Sequence, residues 1–440
     1  MAKGPFDKAY SHLQAVRRKF DGLLEAARNK ATQAQTAGDP RSSGSLRELP
    51  AFGKNPGNLR MFIHVPNRLP SMAPLVVALH GCNQTADEYD RGTGWSALAD
   101  RLGFAVVYPQ QQPANNPKNC FSWFSPSDTT RDSGEAASIR QMVAHAVTAF
   151  GVDQDRVFVT GLSAGGAMAS VMLATYPEVF AGGAIIAGLP YGSARSVQQA
   201  FDAMFTDQVH SANALGNRIR QASGHRGPWP KISIWHGTAD PIVKPSNSEH
   251  ILAQWTDIHG LSPAPSFEET IGGHPRQIWT DASGSAVIES FRINGMAHGV
   301  PLGAAEDENN HGIAGPFFLD AGIFSTHHIA GFWRLAEGLV ETSPVAAVVP
   351  ELDPIQTNNA VAVGAAASKA WGHTDDAAGE RYADRDAQAV LDPNLVIAAA
   401  FKAAGLAVPQ LPNAAVGATP GIAPLPIIRA ALRAAGLTRN

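Results

Sequence analysis

The sequence predicts an α/β fold, with a mostly parallel central sheet and helices on both faces. An N-terminal helix precedes it and an Ala-rich helical tail follows. Three observations carry this. Apolar runs such as Leu75 to Leu79 (LVVAL) are continuous, as in strands buried on both faces. Helical segments of about ten residues or more separate these runs, the spacing of βαβ units. The chain has 440 residues, 44% of them hydrophobic, enough to bury such a core.

Residues 1 to about 35 read as one helix. Phe6, Tyr10, Leu13, Val16, Phe20, Leu23 and Leu24 recur at helical spacing with Lys and Arg between them. Such a helix docks on a neighbouring domain or lies on a surface. The polar stretch AGDPRSSGS then reads as a linker. Arg60 to Val65, Leu75 to Leu79 and Ala105 to Tyr108 are strand candidates. Asp132 is placed to cap a helix through Ala136, Ile139, Met142 and Val143 to Phe150. Val157 to Thr160 is a strand, followed by a helix through Met168 to Ala174. Gly183 to Ala187, Ile232 to Trp235 and Val287 to Phe291 complete the sheet. After about residue 342 the chain becomes Ala-rich with scattered Pro and Gly. Val396 to Leu406 resembles Ile427 to Leu437, each a short helix stopped at a Gly. The expected division is 1–50 for the helix and linker, 51–340 for the α/β domain and 341–440 for the extension.

The formal net charge of −4 offers no basic face, so no nucleic-acid partner is expected. No apolar run approaches the roughly 20 residues needed to span a bilayer. The first residues lack an apolar h-region, which suggests a cytoplasmic protein or an export route not legible here. The two cysteines, Cys82 and Cys120, are too few for a disulfide scaffold. By count alone they are equally one bridge or two buried thiols.

The strongest local signal is Gly161-Leu162-Ser163-Ala164-Gly165, which follows the strand VFVT and precedes a helix. G-x-S-x-G alone is weak, but this setting is that of a nucleophile elbow in an α/β-hydrolase fold. A serine hydroxyl needs a base, and in this fold the acid and then the His follow in chain order on loops after later strands. Asp240 lies in the loop after KISIWHG, with Asp257 and Asp281 as weaker competitors. His298 lies in a Gly-bounded loop after VIESF. His311 is also downstream, while His327 and His328 fall on or near a helix. The strand LVVAL runs into His80-Gly81-Cys82-Asn83, a turn suited to an oxyanion hole. The expected donors are the backbone N–H groups of Cys82 and Ala164. Phe121, Trp123 and Phe124 are candidates for an apolar substrate cleft, or for core packing.

These pieces together are more specific than any one of them. LHGCNQT, NCFSWF, GLSAGGAMA, WHGTADPIV, NGMAHGVP and FFLDAGIFSTHHIAGFW span about residues 57 to 338. The sequence resembles the poly(3-hydroxybutyrate) depolymerase family of esterases, relatives of feruloyl and acetylxylan esterases. The resemblance implies a triad of Ser163, Asp240 and His298, a Cys82–Cys120 disulfide, and an extracellular location. It implies a serine esterase that needs no metal or organic cofactor and acts on hydroxyalkanoate polymers or oligomers. An acylated plant polysaccharide is the alternative substrate. A granule-associated or adhesive binding protein is the alternative from another class. Contact with a polymer or granule surface would fall to the N-terminal helix or the tail.

Overall fold

The computed structural model describes residues 46–207, 209–303 and 311–337. Both expected flanking elements, the N-terminal helix and the two tail helices, lie outside these residues. The strands are β1 (Arg47–Leu49), β2 (Arg60–His64), β3 (Leu75–Leu79), β4 (Ala105–Gln110), β5 (Val157–Leu162), β6 (Gly182–Ile186), β7 (Lys231–Gly237), β8 (Phe267–Ile271), β9 (His274–Thr280), β10 (Ala286–Ile293), β11 (Val300–Leu302) and β12 (Phe318–Asp320). The helices are α1 (Ala86–Thr93), α2 (Trp95–Leu102), α3 (Pro126–Thr129), α4 (Gly134–Phe150), α5 (Ala164–Thr175), α6 (Val197–Phe205), α7 (Ala212–Ala222), α8 (Ser246–His259) and α9 (Ser325–Phe332).

Ten strands form one sheet in the order β1-β2-β4-β3-β5-β6-β7-β10-β9-β8. The six central strands, β4 to β10 in that order, are parallel to their neighbours. Antiparallel pairs extend the sheet at both ends. The continuous apolar strands serve two cores at once. Leu75, Val77 and Leu79 of β3 join a cluster with Ile139 of α4, Met168 of α5 and Trp255 of α8. Val76 and Ala78 face the opposite way, toward Tyr89 of α1, Trp95 of α2 and Ile329 of α9. Period-two alternation inside an all-apolar run thus fills both layers.

The strand expected from Gly183 to Ala187 starts and ends one residue earlier. The helix expected through Met168 to Ala174 is α5. Asp132 does not cap α4. It sits at φ 62°, and Ser133 occupies the N-cap position with no side-chain capping bond. The Asp132 amide instead takes the Tyr176 hydroxyl as acceptor at 2.7 Å.

Strand order decides where a site belongs. β3 is followed in sequence by β4 on one side, whereas β5 lies on the other. Such a reversal leaves a crevice beyond the carboxyl ends of the two strands. The residues there are His80 to Asn83 after β3 and Ser163 after β5.

Candidate active site

Ser163 adopts φ 58° and ψ −115°, a backbone conformation unfavourable for a residue with a side chain. Such strain costs of order 1–3 kcal/mol and persists only where the surroundings impose it. Here its amide donates to Ile186 O at 2.9 Å, and its carbonyl accepts from Ala167 N at 2.8 Å. The flanking glycines are sterically required. A Cβ on Gly165 would meet the carbonyl oxygens of Leu79 and His80, and one on Gly161 would meet the backbone of Gly165. The turn therefore lifts a half-buried Ser163 side chain above the sheet, at the amino end of α5.

The loops after β7 and β10 are stitched together. Thr238 N donates to Ile293 O at 3.0 Å, Ala239 N to Met296 O at 3.0 Å, and Gly295 N to Thr238 Oγ1 at 2.8 Å. Because β7 and β10 are adjacent parallel strands, this brings Asp240 and His298 together across 58 residues of sequence. His298 Nδ1 lies 2.7 Å from Asp240 Oδ2, and both residues are 6% exposed. Asp240 Oδ1 accepts from the amides of Ile242 at 2.8 Å and Val243 at 2.9 Å. Burial opposes ionisation of Asp240. Hydrogen bonds from His236 and His298 outweigh it and hold the carboxyl well below the usual carboxylate range. With the carboxylate accepting at Nδ1–H, the lone pair of the neutral imidazole lies on Nε2. Among the described residues neither that Nε2 nor the Ser163 hydroxyl makes a hydrogen bond.

The competing residues are engaged elsewhere. Asp257 pairs with Arg220 at 2.6 Å. Asp281 closes the β9–β10 turn, accepting from Ser283 and Ser285. His311 approaches Arg101 Nη1 at 3.4 Å, and His327 and His328 lie on α9.

A family profile described as esterase PHB depolymerase matches residues 61–270. Over 292 residues the chain is 47% identical to poly(3-hydroxyalkanoate) depolymerase C of Paucimonas lemoignei, covering 66% of this chain and 70% of that protein. The chain belongs to the PHB depolymerase family of esterases. It is also 37% identical over 271 residues to an acetylxylan esterase of Coprinopsis cinerea, with 60% of this chain and 71% of that one covered. Among solved structures, the acetyl xylan esterase from Aspergillus awamori matches with a TM-score of 0.54 at 30% identity, covering 58% of this chain and 94% of that one. The protein is accordingly a carboxylic ester hydrolase of the α/β-hydrolase fold.

In this esterase the loop after β3 is fixed on several sides. Gly81 N donates to Gln84 Oε1 at 2.7 Å and Asn83 N to Lys118 O at 2.6 Å. Cys82 is disulfide-bonded to Cys120, with an S–S distance of 2.08 Å. Between them, the Cys82 amide donates to no group among the described residues, and neither does the Ala164 amide at the start of α5. His80 is buried against Phe121, ring centroids 4.9 Å apart. Burial lowers its pKa to about 4, so it is a neutral strut. Its Nε2 accepts from Gln111 N at 3.1 Å, which leaves Nδ1–H to donate to Gly81 O at 2.8 Å.

Two buried groups carry no signal in the motifs. Glu135, at the start of α4, holds the underside of the disulfide loop. Its Oε2 accepts from Ser122 N at 2.8 Å and its Oε1 from Gln111 Nε2 at 2.6 Å. Burial pushes its pKa up to about 7, against the lowering effect of those bonds. His236, in β7, also approaches Asp240, its Nε2 3.2 Å from Asp240 Oδ2.

The three aromatic cleft candidates separate. Phe121 is fully buried and has no surface to offer a ligand. Phe124 is half-buried, edge-on to Trp123 at 5.6 Å. Trp123 alone of the three lines a cavity of about 650 Å³, together with Tyr191, Arg195 and Arg218. Neither Ser163 nor His298 lines that cavity. Among the described residues no group of three or more His, Cys, Asp or Glu could hold a metal ion. No helix there is long and apolar enough to cross a membrane.

Proposed function

We propose that Ser163, His298 and Asp240 hydrolyse carboxylic esters through an acyl-enzyme, and that the substrate is a hydroxyalkanoate polyester or its oligomers. The observation that carries the site is the Asp240–His298 bond, 2.7 Å between two buried side chains, at the same carboxyl edge of the parallel sheet as the strained serine turn. His298 Nε2, left with its lone pair, takes the proton as Ser163 Oγ bonds to the ester carbonyl carbon. The negative carbonyl oxygen accepts from the amides of Cys82 and Ala164. As the carbonyl–alkoxy bond breaks, His298 returns the proton to the departing alcohol oxygen. Water then attacks the acyl carbon, again giving its proton to His298, and the acid leaves as Ser163 is restored. Asp240 stays ionised throughout, holding the ring and stabilising the imidazolium.

The polyester reading rests on the 47% identical relative, whose name states that substrate class. Esters on plant polysaccharide form a second reading, favoured by the acetylxylan esterase relatives. Rates on hydroxybutyrate oligomers, polymer film and acetylated or feruloylated xylan separate the two. For the site, Ser163→Ala removes the nucleophile, and loss of a triad serine lowers kcat by about 10⁶. The variant also fails to take up one equivalent of a serine-directed organophosphate. Retention of a few per cent of the activity sinks the assignment.

The division into a catalytic domain at 51–340 with flanking segments at 1–50 and 341–440 belongs to the same proposal. The flanks would hold the enzyme at a polymer surface. Retention of the Ser163→Ala chain on polyester film, with and without each flank, tests this.

A further inference from the structure

We propose that His236 is a positioning residue, which holds Oδ2 of Asp240 in the orientation that receives His298. The reading of Asp240 as the acid underlies this. His236 is the next-to-last residue of β7 and is 2% exposed, so its ring has little freedom. Its Nε2 lies 2.9 Å from Val243 O. A carbonyl oxygen only accepts, so Nε2 carries the proton and donates. The same Nε2 is 3.2 Å from Asp240 Oδ2, within ion-pair distance, so the N–H that bonds Val243 O also lies against that carboxylate oxygen.

The contacts close a ring. Val243 donates its amide to Asp240 Oδ1 and accepts from His236 at its carbonyl. Asp240 thereby has both oxygens fixed. Oδ1 is held by two backbone amides, and Oδ2 lies between two imidazoles. Backbone donors alone leave Oδ2 free to swing with the carboxylate plane. His236 supplies the restraint on that side. Among the described residues, His236 and His298 are the ionisable side chains against this carboxylate.

An N–H dipole this close to Oδ2 also offsets negative charge on the atom that His298 faces. Its removal strengthens the attraction between that carboxylate and an imidazolium at His298. The expected signature is therefore kinetic as well as structural.

Replacement of His236 by Phe keeps ring volume and deletes the donor. Loss of one bond to a charged group corresponds to roughly a 10- to 100-fold fall in kcat. KM should change by less than about twofold, because His236 touches no substrate. The acid limb of the kcat/KM profile should move to higher pH. His236→Gln, which retains an N–H donor, should recover most of the rate. In an Asp240→Asn background, His236→Phe should cost little more, since the residue acts through that carboxylate.

Wild-type kcat and pH profile in His236→Phe overturn the proposal, as does an undiminished loss in the Asp240→Asn background. If Asp240→Asn itself retains full activity, the triad reading fails and the proposal with it. Should the Phe variant not fold, His236→Ala is assayed with added imidazole. Restored kcat supports the role, and no restoration overturns it.

Discussion

Replacing both Cys82 and Cys120 by Ser tests how the oxyanion loop is held. The bridge joins residues 38 apart, and its removal frees the unfolded chain. Chain entropy for a loop of that length predicts a loss of about 4 kcal/mol. For a domain of this size each kcal/mol moves Tm by about 2–4 °C, so the midpoint should fall by about 8–16 °C. Asn83 N still bonds Lys118 O and Gly81 N still bonds Gln84, so the loop keeps its path but loses its tether. A wandering Cys82 amide weakens one of the two oxyanion donors proposed above. Complete loss of such a donor costs about 10²- to 10³-fold in kcat, which is the ceiling for this variant. Thermal unfolding followed by circular dichroism reads the first effect. Turnover of a short nitrophenyl ester at 25 °C reads the second. A double-Ser variant with the wild-type midpoint and wild-type kcat refutes the reasoning.

Two further outcomes follow from single carboxylates. Asp240→Asn should lower kcat by about 10⁴ with the fold intact, whereas Asp257→Asn and Asp281→Asn should leave kcat within a few-fold; a dead Asp281→Asn beside an active Asp240→Asn reverses the choice of acid. Glu135 has its folded pKa raised from 4.5 to about 7, so the folded state holds its proton more tightly than the unfolded chain. Its contribution is present below about pH 4.5 and is lost as pH rises to about 7, a loss of roughly 3 kcal/mol. Urea midpoints between pH 4.5 and 8 should fall less steeply in Glu135→Gln than in wild type, and parallel curves would count against this.

The central sheet was legible because burial on both faces leaves a strong compositional mark. Leu75–Leu79 came out to the residue, and β4, β5, β7 and β10 with ends one or two residues short. The edge strands were not. β8 reads FEETI and β9 HPRQIWT, sequences whose apolar positions are interrupted by charge because only part of each is covered. β9 pairs with β10, and β8 pairs with β9 across the Gly272-Gly273 turn. The Ser163 turn, the Asp240 loop and the His298 loop each lie just beyond an apolar strand, so order and setting were enough to locate them in the fold. His236 was invisible for the opposite reason. It stands inside the strand as one polar residue in an apolar run, and only tertiary structure reveals that Asp240 folds back against it. Glu135 likewise looks like an ordinary acidic residue in a first helical turn.

The order of the strands also has a temporal meaning. β10 pairs with β7, yet α8, β8 and β9 are made between them. That chain lies between the strands that carry Asp240 and His298, and contacts of such long sequence separation form slowly. Ser163 and its strained turn, by contrast, depend on strands β3, β5 and β6, which are already synthesised. A nascent chain therefore carries a shaped but idle serine until its tenth strand docks. Recovery of hydrolysis during refolding should lag recovery of helical signal, because the base is the last member of the site to arrive.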